Sequence, residues 1–428
     1  MGIMPGYKQT EVGVIPEDWG VESLDKIADP KRPICYGIVQ VGQFSNDGIT
    51  VLAIKNLNGD YVTNIHRCSY QIERAYARSR VLPGDVLVSV KGTVGRIGLV
   101  PPHFSGNISR DLARIALSDS DEPAFWYQLL QSEMAQRRLE ATTVGTTRME
   151  LSIGPLKQVK MPRPPKEEQR AIAKALGDSD ALLRALDGLI TKKRDLKQAA
   201  MQQLLTGLTR LSGFQEEWED MQVQNAIARF FCGPSPTCEE RNIQDDHEWG
   251  VLKTTAVTKE NGWDWTKHKT LPRMFWNKPN LELKKGDVIV TKAGPRHRVG
   301  VSAWVDYVPP RIIVSGKMIG LRPRADRVVP VMLASAISSP ATQAYLDQRT
   351  TGMAESQVNF ENSALLEAPI KLPRLDEQRA IAAVLTDMEA ELTVLEERFA
   401  KTRALKQGMM HELLTGKTRL CSPEVTHA

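Results

Sequence analysis

The sequence predicts an α+β protein in which two mixed domains, each with a mainly antiparallel sheet, alternate with two long helices that pair as an antiparallel coiled coil. Three observations lead to this fold class: an internal duplication, a heptad pattern in each copy, and short strand-like runs between the copies. A chain of 428 residues also exceeds what one hydrophobic core usually holds. We place the mixed domains at 1–160 and 213–370, and the helices at 161–212 and 371–428, the last range including a C-terminal tail.

The duplication is read from two pairs of segments. EEQRAIAKAL at 167–176 returns as DEQRAIAAVL at 376–385, and QQLLTGLTRL at 202–211 returns as HELLTGKTRL at 411–420. Both pairs are 209 positions apart, and 24 of the 45 residues in 167–211 are identical to those in 376–420. A match this long without gaps indicates a true internal repeat, so the two mixed domains are expected to share a fold.

Each copy has the pattern of one long helix. Acidic residues follow a proline at its start, and Gly207 or Gly416 fits its C-terminal end. Where the apolar seam turns polar, we expect Leu196 and Leu405 to take over the buried face. The coiled-coil and partner-interface positions are Ile172, Leu176, Leu183, Leu186, Ile190, Leu204, Ile381, Leu385, Met388, Leu392, Leu395, Phe399, Met409 and Leu413.

The mixed domains consist of short runs of β-branched and apolar residues separated by turns. The runs are ITVLAI, GDVLVSV and GRIGLV in the first domain, and GDVIVT, RVGVSAWV and RIIVSGKMIGL in the second. A single helix is expected to follow in each domain, at 123–139 and 330–347.

Positive charge is concentrated in the mixed domains, although the whole chain carries a net charge of only +5. Residues 266–324 hold 13 Lys or Arg against 3 Asp or Glu, and residues 31–114 hold 11 against 5. Such local excesses are typical of surfaces that follow phosphate groups, and they predict nucleic-acid binding. Tryptophans lie near the second basic stretch, where core packing is favoured over contact with bases.

The loops that follow the two GDV strands are the best candidates for reading bases, because Arg and Lys match guanine and Gln or Asn match adenine. For any one of these residues, a solvated charge or a phosphate contact is an equally good interpretation. The candidates are Lys55, Asn56, Lys91, Thr93, Arg96, Arg110, Arg148, Lys253, Lys292, Arg296, His297, Arg298, Lys317 and Gln357.

The sequence offers little catalytic chemistry. It has no G-x-S-x-G, H-E-x-x-H or Rossmann glycine motif, and its seven histidines are dispersed. Glu282-Leu283-Lys284 has the E-x-K form of some nucleases, a triplet that is frequent by chance. Five scattered cysteines without a C-x-x-C pair argue against disulfides and zinc. No apolar run is long enough for a membrane helix and no secretory signal is evident, so we expect a cytoplasmic, metal-free recognition protein.

Several motifs resemble those of the specificity subunit of type I restriction-modification systems. They are PEDW at 16–19, the GDVLVS and GDVIVT strands, P-x-x-E-Q-R-A-I-A from Pro165, and the repeated L-L-T-G. The resemblance implies that each mixed domain is a DNA target-recognition domain reading one half of a split, asymmetric site, while the helices set the spacing. It also implies binding to two methyltransferase subunits and to restriction subunits, which would use S-adenosylmethionine, ATP and Mg²⁺. The chain itself would not be an enzyme.

Two other interpretations remain open at this point. A related type II enzyme that cuts on both sides of its site has a specificity component of similar pattern. A coiled-coil scaffold whose basic halves bind acidic proteins would also combine long helices with excess positive charge.

Overall fold

A computed structural model describes residues 5–59, 61–143, 150–258 and 262–421. The chain folds into two compact units: the first comprises Met1–Gly188 with Glu396–Ala428, and the second comprises Leu189–Leu395. Each unit therefore contains one mixed domain and part of both long helices. Within the described residues, no helix is both long and apolar enough to cross a membrane.

The first unit is built around two small sheets. An antiparallel sheet has the strand order Cys35–Tyr36, Leu112–Ile115, Val86–Ser89 and Ile97–Leu99. A second sheet has the order His66–Cys68, Ile49–Leu52 and Asn107–Ile108, of which the last two strands run parallel. Two-stranded ribbons pair Tyr7–Thr10 with Gly13–Pro16 and Gly20–Ser23 with Lys160–Arg163.

The second unit repeats this topology. Its four-stranded sheet has the order Ile227–Cys232, Met318–Pro323, Val288–Thr291 and Ser302–Trp304, and its three-stranded sheet the order His268–Thr270, Gly250–Leu252 and Ile312–Ile313. Further pairs join Glu219–Gln222 to Pro369–Leu372 and Val257–Thr258 to Gly262–Trp263, and Gln357–Phe360 lies between Ala293–Gly294 and Thr350–Ala354. The shared strand order shows that the duplication includes the mixed domains, as predicted.

The single helices expected at 123–139 and 330–347 are wrong, since each range contains two helices. They are Pro123–Gln131 with Glu133–Ala141, and Pro330–Ile337 with Pro340–Asp347. The break falls at a serine with extended backbone, Ser132 or Ser339, whose hydroxyl accepts the N–H of the third residue of the next helix. The other short helices are Leu24–Ile27, Tyr70–Ala75, Ile153–Gln158, Val223–Ala226 and Asn362–Leu366.

The GDV motif has a structural explanation. The buried Asp85 carboxylate accepts the N–H of Leu82 at 2.8 Å and pairs with both terminal nitrogens of Arg32, at 2.8 and 2.6 Å. In the second unit, Asp287 closes the equivalent turn, and Arg322 holds it through two bonds of 2.8 Å. The aspartate thus fixes the turn that enters the central strand in both units.

Both long helices exist as predicted, each with 39 residues: Lys166–Leu204 and Leu375–Leu413. Gly207 and Gly416 follow three residues after the helix ends, and their φ angles of 73° and 70° are those of a left-handed helix stop. All fourteen predicted seam residues are buried or half-buried.

The helix segments within each unit pair antiparallel. In the first unit, Lys406 bonds Asp180 at 2.6 Å and the Ser179 hydroxyl lies 3.7 Å from the Met409 sulfur. In the second, Lys193 pairs with Glu391 at 2.7 Å and Lys197 with Glu389. Residue numbers rise along one helix as they fall along the other, so the segments run in opposite directions.

The predicted shift of the apolar face to Leu196 and Leu405 is wrong. Their side chains are 47% and 64% exposed. The lysines Lys193, Lys197 and Lys406 stay in the seam instead, because each forms an ion pair with the facing helix while its aliphatic stem is partly covered.

Each unit is closed by an arginine–glutamate contact that we call the clasp. In the first unit, Arg419 bonds the Glu168 carboxylate at 2.7 and 2.8 Å and also pairs with Asp18. The indole N–H of Trp19 donates to the same Glu168 carboxylate at 2.8 Å, and Glu168 is only 1% exposed.

The clasp recurs in the second unit with the duplicated residues. Arg210 makes two bonds to the buried Glu377 carboxylate, and its guanidinium lies 6.0 Å from the Trp218 ring. In both units the ion pair raises the pKa of the arginine. The glycine that ends the helix packs against the clasp tryptophan, since a Cβ on Gly207 would lie 3.0 Å from Trp218 and one on Gly416 3.2 Å from Trp19.

Replacing a clasp arginine should destabilise its own unit. Arg419→Ala would leave the buried Glu168 carboxylate without its cation, at a cost of about 3 kcal/mol in the free energy of unfolding. Arg210→Ala should do the same in the second unit. Urea denaturation gives the magnitude, and limited proteolysis shows which unit opens.

Arg170→Ala is the matched control for this prediction. Arg170 pairs with Glu167, and both side chains are more than half exposed, so the loss should stay below about 1 kcal/mol. Equal stability of the Arg419→Ala and Arg170→Ala proteins would contradict the role of the clasp.

Candidate nucleic-acid interface

Two hairpin loops occupy equivalent places at the end of the central strand of each unit. The first loop, 90–94, follows Val86–Ser89, and the second loop, 292–299, follows Val288–Thr291. The N–H of Gly95 bonds the Ser89 carbonyl at 2.9 Å, and that of Gly300 bonds the Thr291 carbonyl at 2.8 Å. The closing bonds are therefore the same, although the first loop has five residues and the second has eight.

The second loop gathers segments that are distant in sequence. The N–H groups of Lys292 and Ala293 both bond the carbonyl of Lys317, at 2.9 and 3.1 Å. The Arg298 guanidinium donates to the carbonyl of Thr254 at 3.4 Å. Thr254 directly follows Lys253 in the chain. The strand Ala293–Gly294 pairs with Val358 and Asn359, next to Gln357. The structure thus brings all seven candidates of this unit together: Lys253, Lys292, Arg296, His297, Arg298, Lys317 and Gln357.

Part of this charge is already neutralised. Arg296 pairs with Glu355 at 3.1 Å and Lys253 with Glu240 at 3.5 Å. Within the described part of the chain, no carboxylate forms an ion pair with Lys292, Arg298 or Lys317. Cations that lack counter-ions attract a polyanion. The side chains of Lys317 and His297 are exposed to solvent.

The first loop forms a similar but smaller cluster. Gly92 lies against the side chain of Ile54, beside Lys55, and the N–H of Val90 bonds the carbonyl of Asp111 at 2.8 Å. Lys91 pairs with Glu150 at 3.0 Å, and Arg110 lies 3.7 Å from the Asp111 carboxylate. The candidates Lys55, Thr93, Arg96 and Arg110 are exposed around this loop. Arg148 lies outside the described residues.

Asn56 differs from the other candidates because its side chain is 1% exposed. Its carboxamide oxygen accepts the N–H of Ala53 at 3.0 Å and so stabilises the turn Ile54–Asn58. Asn56 therefore shapes the turn that carries Lys55, and its side chain is buried rather than exposed at the surface.

The tryptophans of the second unit take part in packing, as the sequence favoured. The indole N–H of Trp263 donates to the Tyr307 carbonyl at 2.8 Å, and that of Trp276 donates to the Leu271 carbonyl at 2.7 Å. Trp265 stacks on the buried His268, with 6.1 Å between ring centres. These three rings are half-buried, and each makes a contact within the fold.

The E-x-K triplet also has a structural role. The Glu282 carboxylate accepts the N–H of Arg311 at 2.7 Å, which ties it to the neighbouring strand. Across the residues that the structure describes, no group of three or more His, Cys, Asp or Glu side chains is placed to hold a metal ion. The Glu282 carboxylate is thus engaged in holding the neighbouring strand.

Sequence reasoning missed the acidic partners and two glutamines. Glu150 and Glu355 contact the loops from segments that only the folded chain brings near. Gln136 and Gln343 bond the glycine at the end of each loop. A comparison of SEMAQ at 132–136 with SPATQ at 339–343 shows the shared S-x-x-x-Q spacing that would have found them.

Part of the chain matches a known protein family. Residues 40–192, which include the whole first hairpin loop, match the family described as the type I restriction modification DNA specificity domain. The first unit is therefore similar to that family. The match covers most of the first mixed domain and part of the first long helix, and the structural repeat extends the same topology to the second mixed domain.

Relatives agree with this assignment. A stretch of 194 residues aligns with the EcoEI specificity subunit of Escherichia coli at 31% identity, covering 45% of this chain and 32% of that protein. The chain thus spans about a third of the length of that relative. A putative type I restriction enzyme specificity subunit, MjaX, from Methanocaldococcus jannaschii is 24% identical over 97% of both chains.

Solved structures share the fold. The S subunit of the type I restriction-modification system from M. genitalium superimposes with a TM-score of 0.54 at 16% identity, covering 92% of this chain and 96% of that one. A chain from a structural study of type I system assembly gives 0.53 at 17%, covering 94% and 99%. The fold shared with these chains therefore extends over nearly the full chain.

The structural role of the buried Asn56 side chain can be tested by measuring stability. Asn56→Ala removes the acceptor for the Ala53 N–H and should lower the free energy of unfolding by about 1 to 2 kcal/mol. Lys55→Ala, on the exposed side of the same turn, should change it by less than about 0.5 kcal/mol. Urea denaturation measures both, and equal effects would show that the turn does not depend on Asn56.

Proposed function

We propose that this chain is the DNA-recognition subunit of a type I restriction-modification complex, acting in the cytoplasm, and that each unit reads one half of a split site. The observation that carries the proposal is the convergence of basic segments around the hairpin loop of each unit. Similarity to specificity subunits supports the same assignment. Phosphate contacts from the exposed cations would supply affinity, and contacts to base edges from the loops would supply sequence preference.

The two half-sites are expected to differ in sequence. The first loop carries Lys91 and Thr93 over five residues, whereas the second carries Lys292, Arg296, His297 and Arg298 over eight. The shared strand order gives both loops the same support, so differences in recognition come from their length and side chains. The target is then bipartite and not palindromic.

The long helices would set the spacing between the half-sites. A helix of 39 residues is about 58 Å long, which exceeds one DNA turn of about 34 Å. Both helices contribute residues to both units. We propose that this shared pair of rods carries the two reading units and provides the surface on which two methyltransferase subunits dock.

The chemistry would belong to the partners. Methyltransferase subunits would use S-adenosylmethionine, and restriction subunits would use ATP and Mg²⁺. This chain would contribute sequence recognition alone, consistent with the structural roles of Glu282 and the GDV aspartates. All three carboxylates are engaged in closing turns or tying strands together.

Exchange of one unit's reading region tests this modular function. Replacing residues 214–370 by the corresponding region of a relative should change one half of the methylated motif and preserve the other. The reciprocal exchange of residues 1–160 should change only the other half. Sequencing of methylated adenines in a host that carries the chain and its methyltransferase is the measurement, and a change in both halves from either exchange would contradict the proposal.

A further inference from the structure

Two glutamines hold the hairpin loops from equivalent positions. Gln136 lies four residues after the cap Ser132, and Gln343 lies four residues after the cap Ser339. The amide of Gln136 donates to the carbonyls of Leu130 at 2.6 Å and Gly95 at 2.9 Å. The amide of Gln343 donates to the carbonyls of Ile337 and Gly300, both at 2.9 Å.

Each glutamine therefore joins the short-helix pair to the glycine that directly follows the loop. The glycine is held from both sides, because its N–H bonds the strand and its carbonyl bonds the glutamine. Gly95 and Gly300 have φ angles of 87° and 81°. A Cβ at either position would lie only 2.5 or 2.8 Å from the glutamine Oε1. The positive φ angle and the close approach of the glutamine both favour glycine at this position.

This contact is independent of the loop's length and sequence. The loop has five residues in one unit and eight in the other, yet its exit is held in the same way. The bond between glutamine and glycine is the same in both units, although the loop before it differs. This indicates that the direction in which the chain leaves the loop matters for the loop's function. Folding alone does not require it, since the strand bonds at Ser89 and Thr291 already close both hairpins.

Reading a base and contacting a phosphate place different demands on the loop. A long cationic side chain reaches a phosphate from many backbone positions, whereas bidentate contact with a base edge requires placement within about 0.5 Å. Loss of the glutamine contact should therefore reduce discrimination between bases more than it reduces affinity for DNA.

We propose that Gln136 and Gln343 are positioning residues for base discrimination, each acting only on the loop of its own unit. This inference rests on the proposed function, because it assumes that the loops read bases. It adds two residues that touch no DNA and yet determine how sharply each half-site is read.

The test uses the full chain in complex with its methyltransferase subunit. Competition binding is measured with the target duplex, identified from the wild-type methylation motif, and with duplexes altered at one base in either half. Gln343→Met keeps the shape of the side chain and removes the donor. It should lower discrimination in one half by about tenfold and leave the other half unchanged. Gln136→Met should give the reciprocal result.

Matched controls separate this role from a general effect of the substitution. Gln131 donates to the Tyr127 carbonyl within its own helix, and Gln348 is exposed at a helix end. Gln131→Met and Gln348→Met should leave discrimination in both halves unchanged. If a Met variant does not fold, Gln343→Asn and Gln136→Asn keep the amide but shorten its reach, with the same expected result.

Three outcomes would overturn the proposal. Uniform weakening of binding to all duplexes, with discrimination unchanged, would make the glutamines merely structural. Loss in both halves from one variant would contradict action within one unit. If the wild-type complex reads a bipartite motif and both glutamine variants discriminate between bases as well as the wild type does, the inference is refuted and the proposed function stands. A wild-type complex without bipartite preference would refute both.

Discussion

A buried carboxylate at the start of one long helix, paired with an arginine beyond the end of the other, is the contact on which each unit depends. Glu168 is nearly inaccessible to solvent, and Arg419, Trp19 and the helix stop at Gly416 surround it. A buried charge of this kind is tolerable only while its partner is present. In the first unit the clasp joins segments that lie up to 401 positions apart in the sequence. The unit is therefore complete only when the C-terminal segment has packed against the rest of it.

The clasp and the turn aspartates form a constant framework around variable loops. Gly37 and Gly233 belong to it as well, since a Cβ there would lie 1.9 Å from the Ile108 oxygen and 1.6 Å from the Val314 oxygen. Glycine is therefore required at both positions. The clasp, the turn aspartates and these glycines recur in both units, whereas the hairpin loops differ in length and sequence.

The sequence predicted most of what local patterns determine. The 209-residue repeat located both helices, their stops at Gly207 and Gly416, and the shared topology of the mixed domains. It did not predict that Leu196 would be exposed, because the ion pair between Lys193 and Glu391 depends on the facing helix. The sequence also did not show that each unit contains one part of the first long helix and one part of the second.

The candidate interface was predictable in outline and not in detail. Charge density located the basic surfaces, and the second unit's candidates converge as a group around one loop. Burial of Asn56 and neutralisation of Arg296 by Glu355 depend on tertiary contacts that no local pattern reveals. Side-chain type alone therefore overestimates how many of these residues are available to DNA.

We propose that one scaffold, used twice, reads two unlike half-sites. The most direct measurement is the sequence context of every methylated adenine in a host that carries this chain with its methyltransferase subunit. We expect two short, different motifs separated by a constant number of unspecified bases. A single continuous motif, a palindrome, or methylation without sequence preference would contradict it.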